Sequence, residues 1–511
     1  MSRYQYITLI RPPAVTGKNT YSSPSTLSIG LAYISSALKE NGYHVRTIDA
    51  IGEALDQVRL DDNFDYRITG LDNQQIIERI SSATDMIGIS CMFSVEWPIQ
   101  KKLIQDIKKA FPYAKIILGG EHASSAWREI LNTVPEVDLC VCGEGDETII
   151  DIAKNKNANL KDIPGIAYRN EHDKPIKNTP RNRILKIDNI PRPDWSDIPL
   201  EKYFSQQNSW CPNIKEHRHI SVIATRGCPY QCTFCSSPSM WTTRFSVRTP
   251  QNLMNEILYH VEKNKITGFD MSDLTAILKR DWIFEFTDLL IESGLKLSWT
   301  LPQGTRTEQF DRPLIKQLKR ANLRYTTYCP ESGSNRIVKR IKKKVNLKKM
   351  LKSMRIAKQE GLVVKTGFII GFPFEKRIDV YKTLIFQIRC AFVGVDDSII
   401  HFYCPYPGSE IFNQLYAENK ISYDDNYYKS LINMMDLTKI DNYCEHINKY
   451  ELGLYRIIGM ATFYIVSYLT RPMRIIRTLR VFVVNDNPIS LLELRLVSGL
   501  KLFKKIRAKD G

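Results

Sequence analysis

The sequence predicts an α/β protein with two parallel-sheet domains followed by a helical region. Two alternations of strand-like and helix-like segments support this, one near the N-terminus and one with a longer period from His219 onward. The third observation is the absence of a strand pattern near the C-terminus. The chain has 511 residues, 43% of them hydrophobic and 25% charged, which is enough for two or three cores. The predicted units are a front domain, a connector, a second α/β domain and a basic helical region, at 1–155, 156–215, 216–430 and 431–511.

The front domain alternates short apolar strands with amphipathic helices. Strands joined by helices imply right-handed crossovers and a doubly wound, Rossmann-like parallel sheet. A ligand of such a sheet lies outside the carboxyl ends of the strands, where glycines let it approach the backbone. The predicted strands are Tyr4–Ile10, His44–Asp49, Met86–Ser90, Lys115–Leu118 and Val137–Val141, with the first helix at Leu27–Asn41.

The second α/β domain has a longer strand period, and each interval holds one strand and one helix. Six such units predict a partial (β/α)6 barrel with its chemistry at the carboxyl ends of the strands. The stretch before it, 156–215, is rich in proline and polar turns and is predicted to be a connector. The six predicted strands are Ile220–Ala224, Gly268–Met271, Lys296–Thr300, Arg324–Tyr328, Val364–Ile370 and Ser398–Phe402.

Three cysteines, Cys228, Cys232 and Cys235, follow the first barrel strand with C-x3-C-x2-C spacing. Three thiolates at this spacing are typical of an iron–sulfur cluster, and they leave one iron free for another ligand. Incidental cysteines or a zinc site lacking its fourth ligand are the alternatives. Three of eleven cysteines within eight residues disfavour coincidence. The N-terminus lacks signal-peptide features, so we expect a reducing cytoplasm and metal-bound cysteines rather than disulfides.

The cysteine motif, with Phe234 before its last cysteine, resembles the radical S-adenosylmethionine superfamily. The resemblance implies a [4Fe-4S] cluster whose free iron binds S-adenosylmethionine and yields a 5′-deoxyadenosyl radical. It extends to segments after later strands, which the family places around the nucleoside and the methionine. Asp270, Ser272 and Asp273 end the second strand, where the family keeps groups for the methionine amine. The other residues implied to bind this cofactor are Arg306, Glu331, Ser332, Gly371 and Pro373.

Segments of the front domain, among them ILGGEH and CGEGDET, resemble the cobalamin-binding domain that precedes some radical enzymes. The subgroup includes the anaerobic magnesium-protoporphyrin monomethyl ester cyclase and the hopanoid methylases. The resemblance implies cobalamin near Gly119, Gly120, Gly143 and Glu144. The loop at 11–26 lacks the family's axial histidine. His122 is the candidate to approach the corrin or its nucleotide tail, whereas a surface or capping role is the commoner one for such a histidine. A nucleotide fold is disfavoured because no G-x-G-x-x-G follows the first strand, whereas a front domain that has lost its cofactor stays open.

The net charge of +17 is compatible with nucleic acid, a membrane surface or anionic small molecules. No nucleic-acid-binding motif is present, so no nucleic acid partner is expected. The apolar run Ile457–Leu469 is too short to cross a membrane. Together with the basic residues that follow, it predicts either peripheral contact with the inner face of the membrane or a helical cap over the barrel.

These features predict a cytoplasmic, cobalamin-dependent radical enzyme that methylates an unactivated carbon of an apolar or lipid-like small molecule. An electron donor such as flavodoxin or ferredoxin is expected, since the cluster must be reduced. Radical oxidation, rearrangement or cyclisation without methyl transfer is the alternative. A redox-sensing or RNA-binding iron–sulfur protein is disfavoured, because a sensor has no need for nucleoside-binding segments.

Overall fold

A computed structural model of the chain describes residues 3–483, except for a few short segments, and two short pieces beyond them. The segments it does not describe are 19, 21–24, 62, 65, 155, 157–158, 207–210, 212–216, 306–308, 435 and 437–438, and the further pieces are 492–493 and 496–497.

The front domain contains ten strands and seven α-helices among the described residues. The strands are β1 Tyr6–Arg11, β2 Ala14–Gly17, β3 His44–Asp49, β4 Val58–Asp61, β5 Tyr66–Thr69, β6 Met86–Ser90, β7 Lys115–Gly119, β8 Leu139–Val141, β9 Ile166–Arg169 and β10 Pro175–Lys177. The helices are α1 Ile29–Glu40, α2 Ala50–Glu53, α3 Asn73–Ile77, α4 Trp97–Ala110, α5 Glu121–Thr133, α6 Asp146–Lys154 and α7 Leu200–Ser205.

The main sheet of this domain has seven strands in the order β10-β9-β8-β7-β6-β1-β3. Strands β3, β1, β6, β7 and β8 run parallel. The first strand therefore lies between the second and the third of this parallel set, and the chain reverses its winding direction between β1 and β6. Ligands of doubly wound sheets bind at this switch point, outside the carboxyl ends of the strands.

Two parts of the front domain differ from the prediction. Within the predicted connector 156–215, β9 and β10 form a hairpin that extends the main sheet antiparallel to β8. The sequence pattern missed them because they are short and lie at the edge, where Pro175 is tolerated. Within the predicted loop 11–26, β2 joins β5 and β4 in a separate three-stranded sheet.

The second domain is an open barrel of six parallel strands in the order β11-β14-β15-β16-β17-β18, as predicted. The six barrel strands are β11 His219–Val222, β14 Gly268–Met271, β15 Ser298–Leu301, β16 Leu323–Glu331, β17 Val363–Ile370 and β18 Asp397–Phe402. Two short strands, β12 Thr225–Arg226 and β13 Ser246–Val247, form a separate antiparallel pair. The helices are α8 Ser237–Trp241, α9 Pro250–Asn264, α10 Arg280–Glu292, α11 Arg312–Arg320, α12 Asn335–Arg340, α13 Leu347–Gln359, α14 Arg377–Val393, α15 Glu410–Ala417 and α16 Asp425–Asn433.

Alternation along the strands separates the two faces of the barrel wall. Phe269 and Trp299 belong to the core shared with the surrounding helices. Successive side chains of a strand point to opposite faces, so the next residue along each strand, Asp270 or Thr300, faces the lumen. The barrel wall is thus apolar outside and polar inside along its first three strands.

The C-terminal region contains α17 Lys449–Thr470 and α18 Met473–Val483. Helix α17 packs against α14 and β18, and a side chain at Gly459 would meet Ile400 at 2.5 Å. The apolar run predicted to be too short for a membrane is part of this longer helix. With 22 residues and a mean hydropathy of 1.4, α17 is the one described helix whose length and composition would allow it to cross a membrane, although 39% of the apolar window is buried in the protein.

Candidate active site

A cavity of about 340 Å³ lies between the carboxyl edge of the front sheet and the barrel. Its wall comes from the loops after β1, β6, β7 and β8, from α1 and from the strand end that leads into the cysteines. Most of the lining is apolar, including Leu31, Ile34, Ile117 and Val141. The cavity therefore occupies the switch point of the sheet and faces the barrel.

Glycines allow a flat ligand to approach this edge of the sheet. Gly119, Gly120 and Gly143 all line the cavity. Gly120 has φ +123°, and a Cβ there would lie 2.6 Å from the carbonyl oxygen of Cys91. An apolar cavity with a glycine floor fits a corrin ring, whose faces are broad and apolar.

His122 does not line this cavity. Its ring is buried beside Trp97 and Tyr428, and Nδ1 lies 2.8 Å from the hydroxyl of Ser94. Burial lowers the pKa of His122 to about 3. The expectation that His122 approaches the corrin is therefore not supported, because the first turn of α5 directs the ring into the packing around α4 and α16.

Glu144 lines the cavity, but its carboxylate joins the two domains. It accepts hydrogen bonds from Arg183 at 2.6 Å and from Arg226 at 3.3 Å, and Arg226 also bonds Asp146 at 2.7 Å. The Arg226 guanidinium lies over the ring of Tyr33. Burial opposes the charge of Arg226, yet the neighbouring carboxylates outweigh it and raise its pKa.

We call this set, Glu144, Asp146, Arg183 and Arg226, the interdomain ion network. The two arginines were missed in the sequence. Arg226 directly precedes Gly227 and Cys228, so its position beside the cysteine motif could have indicated it as a site residue. Arg183 carried no signal, because it lies in a stretch without periodicity.

The three motif cysteines lie on a partly exposed loop after β12, and all are free thiols. The loop is held by backbone bonds from Thr233 to Ile341 and from Cys235 to Cys232, each of 3.1 Å. Burial raises the pKa of Cys232 to about 11 and also raises that of Cys235. Since the protein alone favours thiols here, a bound cation is needed to hold thiolates.

The spacing of the thiols fits a cluster better than a single ion. A zinc ion with bonds of about 2.3 Å would bring its sulfur ligands within about 3.8 Å of one another. Among the described residues, the three sulfur atoms do not form a group whose members all lie within 4.8 Å. A cubane separates its cysteine sulfurs more widely, because each binds a different iron.

Phe234, Glu331 and Lys343 surround the cysteine loop. Lys343 pairs with Glu331 at 2.7 Å and lies 5.9 Å from the centre of the Phe234 ring. Glu331 has φ +61°, an uncommon conformation for a residue other than glycine. Backbone strain of this kind is found where a side chain must be held in one position.

Ser332 and Gly371 shape two turns near this loop. The hydroxyl of Ser332 lies 3.0 Å from that of Thr383 and accepts from the Ser334 amide, so it anchors the turn to α14. The Gly371 amide donates to Glu375 at 2.6 Å, and Gly371 has φ +90°, which favours glycine. Pro373 accepts a backbone bond from Glu445.

Asp273, which follows the second barrel strand, is held by hydrogen bonds within the protein. Asp273 is buried and accepts from the Ala224 amide and from the Thr225 hydroxyl, at 3.2 and 2.6 Å. Burial raises its pKa to about 6. It therefore fixes the start of the cysteine loop. The predicted Arg306 lies outside the described residues.

A second, smaller cavity of about 120 Å³ adjoins the first, and we call it the polar chamber. Four residues line both cavities: Thr26, Leu27, Ile29 and Ser272. Its lining is otherwise dominated by polar residues of the first barrel strands and by α7. The residues used below are His217, His219, Ser221, Asp270, Gln303 and Tyr203.

A buried hydrogen-bonded group forms one wall of the chamber. His219 donates to Asp270 at 3.0 Å, and Asp270 also accepts from Thr300 at 2.6 Å. The ring of His217 stacks on His219 with centroids 4.1 Å apart, and its Nε2 has no hydrogen-bond partner among the residues that the structure describes. Burial lowers the pKa of His217 to about 4, so its ring is neutral at pH 7. One ligand atom each of His217, His219 and Asp270 lies within 4.8 Å of the others, but both ring nitrogens of His219 are already hydrogen-bonded, to Asp270 and to Ser298, so the group is suited to bind a polar ligand.

Two protein-family models match the chain. The B12 binding domain matches residues 22–153, and the Radical SAM superfamily matches residues 222–386. The chain is 28% identical to the cytidylyl-2-hydroxyethylphosphonate methyltransferase of Streptomyces wedmorensis, over 73% of each chain. It is 23% identical to the anaerobic magnesium-protoporphyrin IX monomethyl ester cyclase of Rubrivivax gelatinosus, over 75% of this chain and 65% of the relative.

The fold is similar to that of solved enzymes that bear both domains. The radical S-adenosylmethionine methyltransferase TsrM from Kitasatospora setae, solved with cobalamin and a [4Fe-4S] cluster, matches with a TM-score of 0.64 at 12% identity, covering 91% of this chain and 89% of that one. The cobalamin-dependent enzyme OxsB matches with a TM-score of 0.60 at 18% identity, covering 82% and 56%. The cofactors of the protein are therefore a [4Fe-4S] cluster, S-adenosylmethionine and cobalamin, as predicted. The chain therefore combines a B12-binding domain with a radical S-adenosylmethionine domain, as predicted, and is similar to the enzymes that carry both.

Proposed function

We propose that the protein transfers a methyl group to an unactivated carbon of a small molecule. The observation that carries this proposal is the junction of the two cavities, which share four lining residues, Thr26, Leu27, Ile29 and Ser272. When bound, the cluster with S-adenosylmethionine supplies hydrogen abstraction, and cobalamin supplies the methyl group. Relatives support the proposal, since the chain resembles both a named methyltransferase and the hopanoid C-3 methylase of Methylococcus capsulatus.

The residues between the cavities hold this junction in place. Arg11 donates to the hydroxyl of Tyr203 at 2.8 Å, and that hydroxyl donates to Asp49 at 2.7 Å. Arg11 lines the larger cavity, whereas Tyr203 lines the polar chamber. This chain of hydrogen bonds fixes α7 against the front sheet, so it positions one wall of the chamber relative to the cofactor cavity.

The lining of the chamber revises the expected substrate class. An apolar or lipid-like molecule would leave Nε2 of the buried His217, which has no hydrogen-bond partner among the described residues, without a partner, which costs free energy. We propose instead that the reacting end of the substrate carries a hydrogen-bonding group that reaches Nε2 of His217. An apolar remainder of the substrate is compatible with this arrangement.

The electron donor is proposed to be an acidic protein such as flavodoxin or ferredoxin, and the location to be cytoplasmic. The cysteine loop is partly exposed and lies against a basic segment, 336–344, which contains six Lys or Arg residues. Cys232 and the backbone carbonyl of Lys342 are in contact at 4.0 Å. Positive charge beside the cluster favours docking of a negatively charged partner.

The function is tested with methyl-labelled S-adenosylmethionine and anaerobically reconstituted protein. A small-molecule extract of the source cells serves as the substrate pool, and products are analysed by mass spectrometry. We expect a labelled product together with 5′-deoxyadenosine, and neither one with the variant in which Cys228, Cys232 and Cys235 are all alanine.

The outcomes separate the candidate reactions. Formation of 5′-deoxyadenosine with an altered but unlabelled product would favour oxidation or cyclisation, the reaction class of the cyclase relative. Absence of 5′-deoxyadenosine from a sample with four irons per chain would contradict both reactions.

A further inference from the structure

Exposed apolar side chains are concentrated on three helices at one side of the protein. Fifteen of the 25 large hydrophobic residues that are exposed in the described part of the chain lie on α14, α17 and α18. Isolated exposed hydrophobic residues are ordinary, but a concentration of this size marks an interaction surface. The contribution of α14 is Ile378, Tyr381, Ile385 and Phe392.

Helix α17 is apolar on both of its faces. Its buried face, with Leu452, Gly459 and Phe463, packs on α14 and β18. The six exposed residues recur at intervals of three, four or seven, with one adjacent pair, so they form one stripe along the opposite face. They are Tyr450, Leu454, Ile457, Ile458, Ile465 and Leu469.

The packing of α17 excludes a membrane-spanning role for this helix. Arg456 is buried, donates to the Asp436 carbonyl at 2.8 Å and lies over the Phe402 ring at 4.1 Å. Crossing a bilayer would remove this arginine and the whole buried face from the barrel. The exposed stripe can instead lie parallel to a membrane surface while the other face stays packed.

The charged residues of the three helices are arranged for an anionic surface. Lys382, Arg389 and Arg480 are exposed beside the apolar stripes. The acidic residues of these helices are neutralised, since Asp379 is buried against Arg336 and Glu451 pairs with Arg377 at 2.9 Å. Exposed cations around an apolar face are typical of helices that bind anionic lipid.

We propose that the exposed face of α14, α17 and α18 binds the surface of an anionic lipid bilayer. Apolar side chains would enter the headgroup boundary, and the neighbouring cations would contact lipid phosphates. A second copy of this chain fits the face less well, because two cationic faces repel each other. The proposal does not depend on the reaction, since it rests on the helices alone.

The test is flotation of the anaerobically purified full-length protein with phospholipid vesicles. Vesicles of phosphatidylglycerol and phosphatidylcholine in equal parts are compared with phosphatidylcholine alone. We expect binding to the anionic vesicles, at least tenfold weaker binding to the neutral ones, and weaker binding in high salt. We expect the double variant Ile457→Glu/Ile465→Glu to lose at least tenfold in binding, because it puts carboxylates into the stripe. Tyr113→Glu, which alters an exposed apolar residue of the front domain, is the matched control and keeps binding.

Further measurements identify what covers the face. Iron content and far-ultraviolet circular dichroism of the double variant establish that it is folded and loaded. No flotation of the wild type, or equal flotation of the wild type and the double variant, overturns the proposal. A dimer in sedimentation equilibrium without lipid that is dissociated by the double variant would assign the face to a second copy. Loss of flotation only when the chain is truncated after Val483 would assign lipid binding to the basic tail and would also overturn it.

Discussion

The two adjoining cavities of this protein differ in the polarity of the side chains that line them. The larger one is lined by glycines and aliphatic side chains of the front sheet, and the charges at its border are paired in the interdomain ion network. The polar chamber is lined by histidine, aspartate and serine of the barrel, and Nε2 of the buried His217 ring has no partner within the described part of the chain.

This difference separates two kinds of recognition. A large cofactor with apolar faces can be held by shape, so its cavity needs room and close backbone approach rather than hydrogen bonds. A small substrate must be oriented for reaction at one carbon, and hydrogen bonds supply direction. An unpartnered buried nitrogen is destabilising in the free protein, so one that faces a chamber is available to bind a ligand.

The two cavities adjoin because the interdomain ion network holds the front domain against the barrel. In Arg226→Met, Asp146 loses its guanidinium partner while it stays buried. We expect the free energy of unfolding to fall by about 3–5 kcal/mol, the typical cost of breaking a buried ion pair. Urea denaturation of the cluster-loaded protein measures this change.

The matched control for Arg226→Met is Arg280→Met, which removes an exposed pair with Asp311 at 3.0 Å. Exposed pairs contribute about 0–1 kcal/mol, so this variant should be close to the wild type. Equal losses in the two variants would show that the network contributes no more than a surface ion pair.

The shape of the larger cavity is tested at Gly30, in the first turn of α1. Gly30 lines the cavity, and a Cβ there would meet no atom within 4 Å. We expect Gly30→Leu to reduce cobalamin retention at least tenfold, because the side chain occupies the space of the corrin. Absorbance of the purified protein measures retention.

Stability distinguishes this effect from misfolding. Leucine is a better helix former than glycine, so Gly30→Leu should be as stable as the wild type or more stable, by roughly 0.5 kcal/mol. Gly30→Ala, which adds one methyl group, should retain most of the cobalamin. Full retention in the leucine variant would place the cofactor elsewhere.

The sequence predicted the fold well where its signals are local. Strand and helix alternation located the six barrel strands, and the motif spacing placed three cysteines on one loop. The hairpin of β9 and β10 was missed because short edge strands have weak periodicity. Arg226 and Asp146 meet across 80 positions of sequence, and no local pattern indicates such a contact.

The polar chamber could not be predicted for a related reason. No motif in the sequence links His217 and His219 to a binding site. Their partner, Asp270, is on the next strand of the barrel, and the lumen side of these strands follows only from the strand register. His122 follows β7 at the edge that binds ligands, but this position in the sequence did not indicate that its ring lies beside Ser94 and outside the larger cavity.

The role of the polar chamber in substrate binding is tested by replacing His217, whose Nε2 has no partner among the described residues, with phenylalanine. We expect His217→Phe to lower the yield of labelled product about tenfold, because the substrate loses a hydrogen bond that orients it. The free energy of unfolding should stay the same or rise by about 1 kcal/mol, since a buried unsatisfied group is removed. His260→Phe is the matched control, because His260 is also buried with an unpartnered Nε2 but lies outside the chamber. The same loss of product in both variants would contradict a role for the chamber in substrate binding.

Glu96 is an acidic side chain in the lining of the larger cavity that lies outside the interdomain ion network. Burial raises the pKa of Glu96 to about 8, although Arg11 opposes this. Between its ordinary value and this one, the folded protein holds a proton that the unfolded chain has released. The free energy of unfolding therefore falls as the pH rises from about 5 to 8, by at most about 1.4 kcal/mol per pH unit for this group.

Glu96→Gln removes this titration, so the stability of the variant should fall less steeply with pH than that of the wild type. Urea denaturation at pH 5.5 and 7.5 measures the two slopes, and Glu78→Gln, at an exposed position, should keep the slope of the wild type. Other buried carboxyls such as Glu375 titrate equally in all three proteins, so only the difference between the slopes reports on Glu96. Identical slopes for the glutamine variant and the wild type would show that Glu96 is ionised in the folded protein. The larger cavity would then hold a permanent negative charge, and its contrast with the polar chamber would be lost.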